Sequence, residues 1–249
     1  MSELVRLAIT DGIAQIQIHR PERHNAMTQA MYERLLQLLQ DCAANPGVQA
    51  LIFMGAGGRS FISGTDIGHF AQFSQGSDGV HYEAFVETVI DAIERVAVPT
   101  VAAIDGWAVG GGLAIATACD FRVCSHSARF GAPIAKTLSN TLSSRNIARL
   151  MAAFGVPRVK RMLMLAEYVD VEEATACGFV YSSCAPEVLE AQADGLARRL
   201  AGLSGVTQHS VKESVRRIVV EQSLADRDLI EAVYGSAAFK AGVALFLKP

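Results

Sequence analysis

The chain has 249 residues, of which 51% are hydrophobic, 19% charged and 7% aromatic, enough for one large domain to bury its own core without disulfides or metal. Lys and Arg number 22 against 25 Asp and Glu, a net charge of −3 spread along the sequence. That balance argues against a basic nucleic-acid footprint and a polybasic membrane anchor, and the low charge fits a surface partly hidden in an oligomer.

Residues Leu4 to Ile18 alternate around Asp11-Gly12 and predict a β-hairpin. Thr28 to Ala44 places Met31, Leu35, Leu38, Leu39 and Cys42 at helical spacing, and Pro46-Gly47 ends that helix. Val48 to Met54 reads as a buried strand running into Gly55-Ala56-Gly57-Gly58. The pattern then recurs. A helix is expected over Gly79 to Val96, a strand over Thr100 to Ile104, the triplet Gly110-Gly111-Gly112, a short helix over Leu113 to Ala118 and a strand over Asp120 to Ser125. From Thr141 onward the chain reads as nearly all helix, with one start at Asp170 (Glu173 three residues on) and another at Pro186. The expected architecture is a layered α/β core over 1–190 and a C-terminal helical region over 191–249.

Cys42, Cys119, Cys124, Cys177 and Cys184 are odd in number and contain no C-x-x-C. They read as buried thiols of a reducing, cytoplasmic compartment, not as a disulfide framework or a zinc site. The first residues lack the basic and long apolar segments of a signal peptide. The most apolar stretch, Val96 to Ala118, is broken by Pro99, Asp105 and the glycine triplet, which a lipid-facing span would not tolerate.

Two strand–glycine–helix transitions stand out: the one after Val48–Met54, continuing through Phe61-Ile62-Ser63-Gly64-Thr65-Asp66-Ile67, and the Gly110–Gly112 triplet. A dinucleotide fingerprint fails, because Ser60 stands where the third glycine of G-x-G-x-x-G is needed, and no P-loop is present. Two readings remain open. The clusters are tight turns only, or they present backbone N–H donors to an oxygen that gains charge during a reaction.

Taken in order, several segments resemble the crotonase (enoyl-CoA hydratase/isomerase) superfamily. They are Ile18-His19-Arg20-Pro21 with Asn25-Ala26-Met27, Phe61 to Ile67, Pro99 to Gly106 with the triplet, Cys119-Asp120, Phe130-Gly131-Ala132-Pro133 and Ala238 to Phe246. The resemblance covers about 230 residues and implies an α/β, ClpP/crotonase-like spiral of ββα units with a C-terminal helical trimerisation region. It implies a homotrimer or dimer of trimers acting on an acyl-CoA, with coenzyme A as part of the substrate and no separate cofactor or metal.

By position, the resemblance makes the N–H groups of Thr65 and Gly111 the oxyanion donors, flanked by Ser63, Gly64 and Gly110. It places Glu22, Arg23 and His24, and the backbone of Asp66 and Ile67, at the CoA nucleotide. Phe246 and Lys248 would close that end from the last helix, with plain helix packing as the other reading of Phe246. The family's two catalytic glutamates fall on Ala114 and, after Pro133, on Ile134, and neither side chain can hold water or move a proton.

Other polar residues are weighed in their place. Asn140 can orient water or cap a turn, and His69 can titrate near neutrality or sit on a helix surface. Glu87, near Tyr82 and Glu83 on the helix covering the pocket, can supply a carboxylate or be a surface residue. Arg145 can meet an acidic acyl group or a solvated partner, and Asp66 supports local structure. The resulting expectation is hydratase- or isomerase-type chemistry through an enolate-like oxyanion. Decarboxylation or thioester hydrolysis by other residues, or acyl-CoA binding without catalysis, stand as alternatives.

Overall fold

The computed structural model describes residues 4–247. Strands β1 (Val5–Thr10) and β2 (Ile13–Ile18) form the expected hairpin, closed by left-handed Asp11 and Gly12. Thr28 caps helix α1 (Gln29–Ala44) by accepting from Met31 N.

Three ββ turns follow, and each gives one strand to each of two sheets. Strands β3 (Ala50–Gly55), β5 (Thr100–Ile104) and β7 (Phe121–Ser125) join the larger sheet, in the order β1-β2-β3-β5-β7-β10, where β10 is Ser182–Cys184. Strands β4 (Ser60–Ile62), β6 (Trp107–Val109) and β8 (Arg129–Gly131) run parallel in a smaller sheet with β9 (Val169–Asp170) on its edge. Helix α2 (Gly76–Arg95) follows β4 and helix α3 (Gly111–Ala118) follows β6. This is the crotonase-like spiral.

Both faces of the larger sheet are covered at its centre, so β3 and β5 are buried on both sides. Leu51, Phe53, Ala102 and Ile104 point into the main core with Leu35 and Leu38 of α1 and Val89, Ile90 and Ile93 of α2. Their alternates Ala50, Ile52, Val101 and Ala103 meet Ala193, Leu196 and Leu200 of helix α7 (Leu189–Ala201) on the other face. Each fully buried Ile, Leu or Phe contributes about 1.5–3 kcal/mol.

The stretch after Thr141 is less uniformly helical than its sequence suggests. It holds α4 (Ser144–Phe154), α5 (Val156–Met164) and α6 (Val171–Ala176), but also β9 and β10, whose two and three residues are too short to show alternation. Asp170 caps α6 through Glu173 N, while the Glu173 carboxylate turns to Arg158 and Arg161 instead of closing a capping box. Pro186 opens a 3₁₀ turn that leads into α7.

Helices α8 (Gly205–Arg216), α9 (Arg227–Gly235) and α10 (Ala237–Phe246) complete the chain. They leave Val211, Val215, Ile230, Tyr234, Val243 and Leu245 largely exposed. Among the described residues no single helix is long and apolar enough to cross a membrane.

Candidate active site

Strands β4, β6 and β8 are parallel neighbours, so the chain leaves them at one edge of the small sheet. Their three exit turns are Gly64-Thr65, Gly110-Gly111 and Ala132-Pro133-Ile134. The carboxyl edge of a parallel sheet is where backbone donors from successive turns converge.

Thr65 forms a parallel bridge with Met27. Met27 supplies both bonds, donating to Gly64 O and accepting from Asp66 N at 2.8 Å each. Successive N–H groups of extended backbone point to opposite sides, so the Thr65 N–H faces away from Met27. Gly111 is the first residue of α3, and its N–H is one of those a helix start leaves without an intrahelical acceptor. The dipole of α3 adds partial positive charge there. The two turns face each other closely, because a Cβ on Gly64 would lie 3.9 Å from Gly111 N and 4.0 Å from Gly110 Cα. Gly64 (φ +111°) and Gly110 (φ +53°, ψ −117°) hold backbone conformations that other residues avoid.

A scaffold of polar residues fixes the Thr65 turn. Asn25 is fully buried, donates to Ala56 O at 2.9 Å and Ser60 O at 2.7 Å, and accepts from Arg20 N. Arg20 Nη1 donates to Ala26 O and pairs with Asp66 Oδ2 at 2.6 Å, while Asp66 Oδ1 accepts from Gly68 N. The Arg20 hydrogen bond holds the Asp66 carboxyl below the usual carboxylate range. This is the structural role the sequence suggests for that side chain.

The Asp66 backbone differs from expectation. Its N–H is taken by Met27 O and its carbonyl accepts from His69 N, so the N–H has nothing left to offer a nucleotide. Ile67, 63% exposed, remains on that surface. Glu22 and Arg23 sit in an exposed 3₁₀ turn ending at left-handed His24, whose carbonyl accepts from Ser63 N, so this segment lies beside the Thr65 turn.

Of the proposed side chains, His69 packs edge-on against Phe70 and Phe73 and tilts against Tyr82. Glu87 turns inward to Arg149 at 2.7 Å and accepts from Ser143 Oγ at 3.3 Å, which makes it an anchor of α4. Its neighbour Glu83 accepts from Ser143 N at 2.7 Å, and burial pushes its carboxyl above the usual range. Asn140 and Arg145 are exposed. Ala114 is buried on α3, Ile134 packs on the edge of the core, and Pro133 is half-buried. Phe246 is 91% exposed at the end of α10, and Lys248 lies outside the described residues.

Sequence reasoning missed Tyr32. Its hydroxyl bonds Thr65 Oγ1 at 3.0 Å and occupies the place a Cβ on Gly111 would need. Tyr82 reaches the same Thr65 oxygen at 2.6 Å. The available signal is a tyrosine inside an apolar helix stripe, since a buried phenol needs a polar partner. A separate cavity of about 570 Å³ lies at the far end of α3, between Ala118, Ala152 of α4 and Val211 and Val215 of α8; Arg149 lines it, and none of the residues of the Thr65 and Gly111 turns does. Among the described residues no cluster of His, Cys, Asp and Glu is arranged to hold a metal ion.

The sequence profile described as enoyl-CoA hydratase/isomerase matches residues 8–248. The chain is 30% identical over 198 residues to a crotonyl-CoA hydratase of Syntrophomonas wolfei, covering 80% of this chain and 75% of that protein. It is 28% identical over 205 residues to a short-chain-enoyl-CoA hydratase of Clostridium acetobutylicum, covering 82% and 78%. The crystal structure of an enoyl-CoA hydratase/carnithine racemase from Magnetospirillum magneticum superposes with a TM-score of 0.88 at 25% identity, covering 99% of this chain and 93% of that one.

Proposed function

This chain belongs to the enoyl-CoA hydratase/isomerase (crotonase) family, and we propose that it polarises an acyl-CoA thioester carbonyl between the N–H groups of Thr65 and Gly111. The facing of the two glycine turns carries this reading. Two donors aimed at one oxygen stabilise the enolate-like anion more than the neutral carbonyl, and so lower the barrier. The nucleotide end of the ligand lies along Glu22–His24 and Ile67, with Ser63 and Gly64 lining the approach.

The general chemistry is that of the family, but the means of moving protons is not. Water addition needs a base to hold water and an acid to protonate carbon, and each such group typically contributes about 10²- to 10⁴-fold. Ala114 and Ile134 supply neither. Turnover of crotonyl-CoA is therefore expected to be at least about 100-fold below that of a hydratase carrying both glutamates. A spectrophotometric hydration assay checks this, and robust hydration would require a different proton carrier. Incubation with a panel of acyl-CoAs, read by mass spectrometry for retained ligand and changed product, tests the thioester assignment itself.

The exposed apolar residues of α8 to α10 support assembly into a trimer or a dimer of trimers through the C-terminal helices. Light scattering should report three or six chains per particle. Leu245→Glu together with Val243→Glu should shift that mass toward one chain. The five unpaired thiols fit a reducing, cytoplasmic compartment.

A further inference from the structure

The two donor turns belong to successive turns of the spiral, and the sheet stops short of both. Pairing between β4 and β6 ends at Ile62 and Ala108. Beyond it, Thr65 is bridged to Met27, and Gly110 N donates to Gly131 O at 3.0 Å. Among the described residues no backbone hydrogen bond joins one donor turn to the other. Their separation is left to side-chain packing.

One side chain lies against both. Tyr32, in the first turn of α1, is 1% exposed, and its ring packs edge-on against Phe85 of α2 with centroids 6.2 Å apart. A rigid ring packed in the core holds its oxygen at one place. That oxygen is 3.0 Å from Thr65 Oγ1 and fills the space where a Cβ would stand on Gly111. Gly64 and Gly110 have positive φ angles and Gly111 does not, so backbone conformation does not demand a glycine at 111. The Tyr32 hydroxyl does. Were that oxygen removed, the same Cβ would meet Thr65 Oγ1 at 3.6 Å and the Cζ of residue 32 at 3.7 Å, both ordinary contacts. A hydroxyl at 32 and a methyl at 111 therefore occupy one space.

Two N–H groups polarise one oxygen only when each lies about 2.7–3.1 Å from the position it will occupy. Such geometry persists where the supporting side chains are themselves locked. We propose that the Tyr32 hydroxyl is a spacer, seated between Thr65 and Gly111, that sets the gap between the two N–H groups. Tyr32 is then a positioning residue and touches no substrate. Its role depends on where the oxygen sits, not on which hydroxyl donates to the other. Tyr82 reaches the same Thr65 oxygen at 2.6 Å, but the three atoms nearest a Gly111 Cβ belong to Tyr32 and Thr65.

This inference rests on the acyl-thioester reading of the same site, so the test separates the two. The probe is butyryl-CoA with a ¹³C-labelled carbonyl, which has no double bond to hydrate or move, bound at saturation and read by the infrared band of its thioester carbonyl. Wild type should move that band to lower frequency. Tyr32→Phe keeps the ring on Phe85 and should bind the probe as wild type does, yet lose part of the shift. Tyr82→Phe takes the other hydroxyl off Thr65 and should lose less. Gly111→Ala, with the Tyr32 hydroxyl in its way, should lose most of the shift, and Tyr32→Phe with Gly111→Ala should regain it, because the methyl refills the space. That reversal is a coupling between contacting residues, not a sum of two losses. Comparing Gly111→Ala with the double variant gives the answer even where Tyr32→Phe alone folds poorly.

A full shift in Tyr32→Phe would overturn the proposal, as would an equal loss in Tyr82→Phe, or a double variant that shifts the band no more than Gly111→Ala does. Wild type that fails to bind the probe, or binds it without moving the band, would instead remove the thioester reading, and this inference with it.

Discussion

Gly111→Pro is expected to lower turnover of an acyl-CoA substrate by about 10²- to 10³-fold, the usual consequence of removing one oxyanion donor. Proline removes the N–H and is tolerated at the first position of a helix, so α3 should survive the change. The added side-chain atoms are a separate matter. A Cβ at Gly111 would collide with the Tyr32 hydroxyl, so the single variant mixes a lost donor with a displaced tyrosine. The clean comparison is made in a Tyr32→Phe background, where the offending oxygen is gone. Gly111→Ala there adds the Cβ and keeps the N–H; Gly111→Pro adds bulk and loses it. The ratio of kcat/KM between the two double variants isolates the donor, provided both melt at similar temperatures. Equal turnover would take the Gly111 N–H out of the mechanism.

Local chemistry decides how much of this arrangement is legible before folding. The Asp11-Gly12 hairpin, the Thr28 cap and the glycine turns after β3 and β6 are encoded in adjacent residues, and inspection of the sequence finds them. The partition of strands into two sheets is not local. Ser60–Ile62, Trp107–Val109 and Arg129–Gly131 are three-residue strands whose sheet exists because the chain winds past itself. The facing of Gly64 and Gly110 is legible only through the family resemblance. Side-chain partners carry still weaker signals. Glu87 and Glu83 are one helical turn apart and look alike in sequence, but Arg149 claims the first and the Ser143 N–H the second. Tyr32 sits beside Met31 in the apolar stripe of α1, and nothing in its neighbourhood reveals that its hydroxyl ends at Thr65.

Arg149 shows how a buried charge positions the candidate site from a distance. Its side chain is 3% exposed, and those of Glu87 and Glu94 are 13% exposed. The guanidinium grips Glu94 with two bonds of 2.9 and 2.7 Å and reaches Glu87 at 2.7 Å, docking α4 onto α2. Ser143, the cap of α4, is tied to α2 by Glu83 and Glu87, and this ends the loop that carries Ile134. Arg149→Leu leaves two desolvated carboxylates without their cation and is expected to cost about 3–5 kcal/mol in denaturant unfolding. The pH dependence identifies the cause. Burial already holds the Glu94 carboxyl above the usual carboxylate range despite the guanidinium, and stripped of that cation it moves further up, so the folded variant binds more protons than the unfolded chain. Its deficit should therefore shrink on acidification, and grow as pH rises through the ordinary glutamate range to the raised folded value of Glu94. Adding Glu87→Gln and Glu94→Gln should restore most of the stability and flatten that profile. A deficit that ignores both pH and the added substitutions would mean that Arg149 acts through the packing of its stem and not through its charge.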